Sequence, residues 1–241
     1  MGAVFSLARK EFRAYFQSTI AYIFITLFLV LSQWLFFRGF FIFGQATMRE
    51  FFGFLPILFL IFLPAVTMRM WAEEQKLGTA ELLLTFPVRD WEVVVGKFLA
   101  AFGFMSLAVL LTVPLALSIA SIGDPDNGAV LGGYIGSLLL GGSYIAIGLW
   151  VSSTTPNQIV AFLVTCILCF LLYIAGSQLV LSAVPTALSA LVPFLANISL
   201  SYHFESIGRG VVDSRDVLYY LSVMGFFLFL NVQTIQSRRW S

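Results

Sequence analysis

Long apolar runs alternate with short polar breaks along this chain, and the runs are too long for the strands or helices of a water-soluble core. A helix that crosses a bilayer needs about 20 mostly apolar residues. Six stretches reach or approach that length: Ile20 to Phe43, Phe51 to Met70, Trp91 to Ile122, Val130 to Val151, Gln158 to Gln178 and Val217 to Ile235. The second contains Pro56 and Pro64, tolerated where neighbouring helices satisfy the freed carbonyls. The third is longer than a span requires; Pro114 predicts a kink in it, and Asp90 is placed to cap its start. The fourth carries Gly132, Gly133, Gly136, Gly141, Gly142 and Gly148, small residues that favour close helix contact in lipid.

Two segments break the pattern. Residues 1–18 interleave Arg9, Lys10, Glu11 and Arg13 with Phe5, Leu7, Phe12, Tyr15 and Phe16. A signal peptide would place its charges ahead of one compact apolar core, so this spacing predicts an amphipathic helix on the membrane surface instead. Residues 179–216 hold two apolar pieces, Leu179 to Val184 and Thr186 to Ile198, separated by Pro185, with Pro193 cutting the second. Each is too short to span, which predicts re-entrant or interfacial helices, followed by a polar segment from Ser201 to Asp216.

Composition agrees. The chain is 60% hydrophobic and 10% charged, with mean hydropathy +0.96, against roughly 25% charged residues in soluble domains. Too few polar side chains remain to cover a water-facing surface. A net charge of +1 leaves no basic face for nucleic acid. Cys166 and Cys169 lie in an apolar run and read as small apolar filler. With the N-terminus inside, the inner side carries nine basic residues and the outer side four. The positive-inside rule then predicts six spans with both termini cytoplasmic. Arg38, near the end of the first span, reads as snorkelling to the outer interface.

The longest polar interruption in the first half runs from Arg69 to Lys97 and gathers Glu73, Glu74, Glu81, Asp90 and Glu92. Gly78 breaks the chain, Thr79 is placed to cap a new helix, residues 80–86 form that short helix, and Pro87 ends it. Leu82, Leu83, Leu84 and Phe86 are too apolar for a free loop. They suit a helix pressed into a partner's groove, or one resting on lipid.

Glu74-Gln-Lys-Leu-Gly-Thr-Ala-Glu-Leu-Leu-Leu-Thr-Phe-Pro-Val88, then Trp91-Glu-Val-Val-Val-Gly-Lys-Phe-Leu-Ala100, resembles the signature of ABC-2 type permeases. Pro64 to Arg69 and Asn157 to Phe162 fit the same family, and His203-Phe-Glu-Ser-Ile-Gly-Arg-Gly210 onward to Asp216 narrows the likeness to the gliding-motility-type permease subunit. The nitrous-oxide-reductase maturation permease is a more distant relative. The resemblance implies an all-α integral membrane protein with a single ABC-2 (type V exporter-like) transmembrane domain over residues 1–241. It has an interfacial helix at 1–18, six transmembrane helices, a cytoplasmic coupling-helix loop at 72–90 and an outer segment with short re-entrant helices at 179–216.

It also implies an inner-membrane location, an ABC ATPase subunit that binds ATP and Mg, and a second transmembrane subunit, a like chain or one with a large outer domain. The carried-over coupling residues are Gly78, Thr79, Glu81, Leu82, Leu83 and Pro87, with Glu73 and Glu74 leading in and Gly96 and Lys97 leading out. Pro156, Asn157 and Gln158 form a second contact with the ATPase.

No phosphate cradle is present in this chain: Gly96-Lys97 is followed by Phe98 and preceded, five positions earlier, by Trp91, unlike a Gly-x-x-x-x-Gly-Lys-Ser/Thr loop. No catalytic residue, cofactor or metal is expected here. His203, Glu205, Arg209 and Asp216 are readable as an outer gate or partner contact, or as structure: Asp216 capping the sixth span and Arg209-Gly210 forming a turn. An intramembrane zinc-protease motif, His-Glu-x-x-His, is missing. Two functions fit: a permease subunit coupling ATP hydrolysis in a separate ATPase to export, or a transmembrane force transmitter that acts on an outer partner and moves no substrate.

Overall fold

The computed structural model describes residues 2–43, 47–79, 88–123, 125–183, 191–210 and 213–239. Within them the chain is helical throughout: α1 Gly2–Gln17, α2 Thr19–Phe43, α3 Arg49–Thr67, α4 Arg69–Lys76, α5 Asp90–Leu110, α6 Val113–Ile122, α7 Asn127–Thr154, α8 Gln158–Ile174, α9 Gln178–Ala183, α10 Leu191–Ile198, α11 Leu200–Gly208 and α12 Ser214–Arg239. Five segments are long and apolar enough to cross a membrane: Thr19–Phe41, Arg49–Lys76, Asp90–Ile122, Asn127–Thr154 and Ser214–Ser237. The fifth expected stretch is shorter than its apolar run. α8 has 17 residues, about 25 Å at 1.5 Å per residue against roughly 30 Å of hydrocarbon.

The bundle is built around α7, which touches α3, α4, α5, α8, α11 and α12. Its glycines allow this. A Cβ on Gly141 would come within 2.8 Å of Met105 Cε, and one on Gly132 within 2.5 Å of the Ile207 carbonyl oxygen. Toward α3, Gly133 faces the Phe52 ring and Gly148 faces the Thr67 hydroxyl. Contacts therefore advance in the same direction along both helices. Small residues let backbones approach, and dispersion between them replaces the hydrophobic driving force that lipid removes.

Proline consequences are local. Pro64 has no N–H to give the Leu60 carbonyl. The Cys166 thiol from α8 donates to that oxygen at 3.2 Å. Cys166 is thus more than apolar filler, while Cys169 is fully buried. Pro114 does not merely kink the third span: it stands in the first turn of α6, and Leu111 and Thr112 separate that helix from α5. Pro193 does not interrupt residues 191–198, which form the one helix α10; the earlier part of that expected segment, residues 186–190, lies outside the described residues.

Two expected caps differ. Asp90 is the first residue of α5 rather than its cap; the Glu92 carboxylate instead accepts the Arg89 N–H at 2.9 Å. Asp216 does not cap α12, since Asp213 accepts the Arg215 N–H at 2.9 Å and Asp216 lies in the first turn. The turn at Arg209-Gly210 is present, with Gly210 at φ +91°, a conformation glycine adopts without a Cβ penalty. The segment expected to be merely polar after Ile198 is the helix α11, with Leu200, His203, Phe204 and Ile207 buried.

α1 packs along α5. Leu7 abuts Gly96, Phe12 abuts Gly103, and Tyr15 stacks on Phe104 at 4.9 Å. Arg9, Lys10 and Arg13 are exposed on its other side.

Candidate functional site: the helix junction at α4

Ala80 to Pro87, the core of the expected coupling helix, lies outside the described residues, and with it Glu81, Leu82, Leu83 and Pro87. The segment that leads into it is described in full. α3 ends where the Thr67 hydroxyl turns back to the Leu63 and Pro64 carbonyls, at 3.0 and 3.3 Å. α4 then begins with first-turn N–H groups that no helical carbonyl can accept. Ser152, near the end of α7, supplies the acceptor: its Oγ takes the N–H of Trp71 and of Ala72, both at 3.1 Å, and donates to Met68 O at 3.0 Å. Gln75 bonds in the opposite direction, donating from Nε2 to Ser153 O at 2.8 Å. The end of α7 thus caps the start of α4, and the last turn of α4 caps the end of α7.

Lys97 fixes a neighbouring face. It is fully buried, although lysine almost never is unless paired. Its Nζ donates to Glu74 Oε1 at 2.6 Å and to Met70 O at 3.0 Å, lies 3.7 Å from Glu11 Oε1, and sits 4.9 Å above the Trp71 ring. One ammonium therefore binds α5 to α4 and to α1. Arg69 pairs with Glu73 along α4 at 3.0 Å, with both side chains more than a third exposed. α4 closes at Leu77, whose N–H reaches Glu73 O, and Gly78 comes next at φ +70°.

A cleft of about 300 Å³ opens beside this cluster, between α1, α4 and α5. The Tyr15 hydroxyl and Glu74 Oε2 are buried there without a hydrogen-bond partner. Burial first, and the Glu11 carboxylate second, hold the Tyr15 phenol above the usual tyrosine range.

The residues expected at an ATPase contact thus fall in three places. Gly78, Thr79, Pro156 and Asn157 are exposed and Gln158 is half-buried, at the same end of the bundle. Asn157 caps α8 by accepting the Ile159 N–H at 3.0 Å. Glu73 and Glu74 are held by cations of the chain itself. Gly96 and Lys97 are buried against α1 and α4. Ser152, Ser153, Glu11 and Trp71 were not legible as members of this junction. The one signal for the serines is a hydroxyl pair closing an otherwise apolar helix.

At the other end of the bundle, Glu205 and Arg209 are exposed, while His203 and Asp216 are buried together. His203 Nδ1 lies 2.7 Å from Asp216 Oδ1, and Nε2 lies 3.1 Å from Asn197 O. Each ring nitrogen therefore faces an oxygen, one of a carboxylate and one of the backbone. The Tyr219 ring stacks on the imidazole at 3.9 Å, and its hydroxyl donates to Ile198 O. Among the described residues no three His, Cys, Asp or Glu side chains are grouped as metal ligands would be.

Comparison with curated proteins returned no match. The profile of the family described as "ABC-2 family transporter protein" matches residues 5–234, nearly the whole chain. The chain belongs to this ABC-2 transporter family, whose members are multi-pass membrane components of ABC transporters.

Proposed function

We propose that this chain is the permease subunit of an ABC exporter, driven by a separate ATPase that binds ATP and Mg, and that α4 is the lever. The observation that carries the reading is the mutual capping of α4 and α7 with Lys97 on a neighbouring side. Through it, a push on the residues after Gly78 reaches α1, α5 and α7 together. Hydrogen bonds to both ends of a short helix leave it little freedom to bend on its own. Force is therefore passed on rather than absorbed.

In this reading the α4 end is cytoplasmic, both termini are inside, and six spans cross the inner membrane, α8 being the shortest. α1 rests in the interface on its Arg9, Lys10 and Arg13 side. The exposed Pro156–Asn157 turn gives the ATPase a second footing. Subfamily likeness to gliding-motility-type and nitrous-oxide-maturation permeases belongs to the same proposal, as does a second transmembrane subunit.

Force transmission without transport is a second reading. It is favoured by α7, which carries Ser152 at one end and Gly132, packed on α11, at the other. Movement of α4 would then shift α11 and the exposed Glu205 and Arg209, an outer gate or a contact for an outer partner.

A tagged chain purified from its native membrane, with mass spectrometry of the proteins that accompany it, tests the proposal. An ATPase should co-purify and should be lost in Leu83→Asp. A chain that brings no ATPase under any mild detergent contradicts both readings. A partner with a large outer domain, lost in Arg209→Ala, would select the second.

A further inference from the structure

We infer that the cleft beside Lys97 binds one glycerophospholipid with a primary-amine head, and that its acyl chain lies in the groove between α2, α3 and α5. The cleft does not stand alone. It shares Tyr15, Ser18, Val66 and Arg69 with a small hollow of about 40 Å³, and that hollow shares Phe24, Val66 and Phe104 with a third, wholly apolar one. A polar chamber thus continues into a narrow apolar track. The two hollows, about 40 and 20 Å³, are shallow dents that a chain lies across rather than enters, and they give no room to a sterol-sized body.

The charges select the head. Glu11, Glu73 and Glu74 face Arg69 and Lys97 across the cleft, an excess of one acid. Lys97 is already engaged by Glu74, Met70 O and Glu11. What remains unpaired, buried at the wall of the cleft, is an acceptor, Glu74 Oε2, and a donor, the Tyr15 hydroxyl. A buried polar atom left without a partner costs more than one that is paired. A primary ammonium donates to Glu74 Oε2, while a phosphate or ester oxygen of the same lipid accepts from Tyr15, with Arg69 beside it for the phosphate charge. A trimethylated head has no N–H to give. A glycerol head brings net negative charge to an acidic cleft. Lipid binding here is independent of the transport reading, since the cleft and groove alone carry it.

The test is native mass spectrometry of the full chain in mild detergent, titrated with lipids of identical acyl chains. Phosphatidylethanolamine should be retained about tenfold above phosphatidylcholine, as expected for one charge-assisted hydrogen bond, and above phosphatidylglycerol as well. Both Glu11→Gln and Tyr15→Phe should preserve helicity; Glu11→Gln should lower that preference severalfold, and Tyr15→Phe should lower retention of all three lipids, which share the phosphate and ester oxygens. Val66→Trp, which fills the junction of head and track, should abolish retention. Glycerophosphoethanolamine, the head without chains, should compete poorly. Equal retention of the three lipids, preference for the glycerol head, competition by the soluble head at lipid-like concentration, or indifference to Tyr15→Phe and Glu11→Gln would each overturn it.

Discussion

Each end of the bundle is pinned by a buried contact to a carboxylate, of nearly the same length: Lys97–Glu74 at 2.6 Å and His203–Asp216 at 2.7 Å. Both tie a short helix to a long one, α4 to α5 and α11 to α12. Their surroundings differ. Lys97 has two acids for one cation and an open cleft beside it, and its partner carboxylates retain 19% and 24% of their exposure. His203 is closed between an aspartate, a carbonyl and the flat face of Tyr219. The first arrangement joins three helices through one ammonium and leaves acceptor capacity for something further. The second locks two helices and the Asn197 carbonyl of α10 in one register. In the lever reading, the end proposed to receive force is the one with several attachments, and the other is held by one well-packed latch.

The largest effect should come from breaking the first pair. Lys97→Met leaves Glu74 and Glu11 facing each other and should cost about 3–5 kcal/mol of stability, read as a lowered unfolding midpoint in detergent. Glu74→Leu added to Lys97→Met should recover part of that loss, because an apolar pair replaces an ionic one. Should the double variant be no better than the single, Lys97 would be holding Met70 O and α1 more than Glu74. At the other end, His203→Phe should cost roughly 2–3 kcal/mol. The loss is smaller because Asp216 lies in the first turn of α12, where the helix dipole favours a negative charge.

Ser152→Ala tests the capping itself. It strands the N–H groups of Trp71 and Ala72 and should cost about 1–2 kcal/mol, with faster hydrogen exchange at α4 and little change at α11. Exchange rising equally at both ends would mean that the two regions are not separately pinned. The smallest effect belongs to Cys166→Ala, under about 1 kcal/mol, since a thiol is a weak donor to the Leu60 carbonyl.

The apolar runs made the long helices legible, because lipid leaves a spanning chain little choice but helix. The close packing of α7 was legible too, from glycines whose absent side chains are visible in the letters. Boundaries were harder. Pro114 marked a disturbance, but a proline disrupts a helix interior and suits a first turn, and the letters alone did not say which was in play. The site was legible only in outline. Glu74 and Lys97 stood out as charges near apolar runs, yet their pairing spans 23 positions and depends on how α4 folds back against α5. Ser152 reaches α4 across 80 positions or more, and no local pattern encodes that. His203 and Asp216, 13 apart, meet because α11 is a helix, and the polar letters of that segment hid its buried face.

The most direct test of the lever is ATP hydrolysis by the chain with its ATPase in lipid nanodiscs, comparing wild type with Ser152→Ala. If α4 transmits force through its cap on α7, the variant should assemble with the ATPase normally. It should then lose most of the hydrolysis that assembly stimulates, roughly tenfold, the factor that 1.4 kcal/mol represents. Normal assembly with full stimulation would show that the cap carries stability alone and that the lever lies elsewhere.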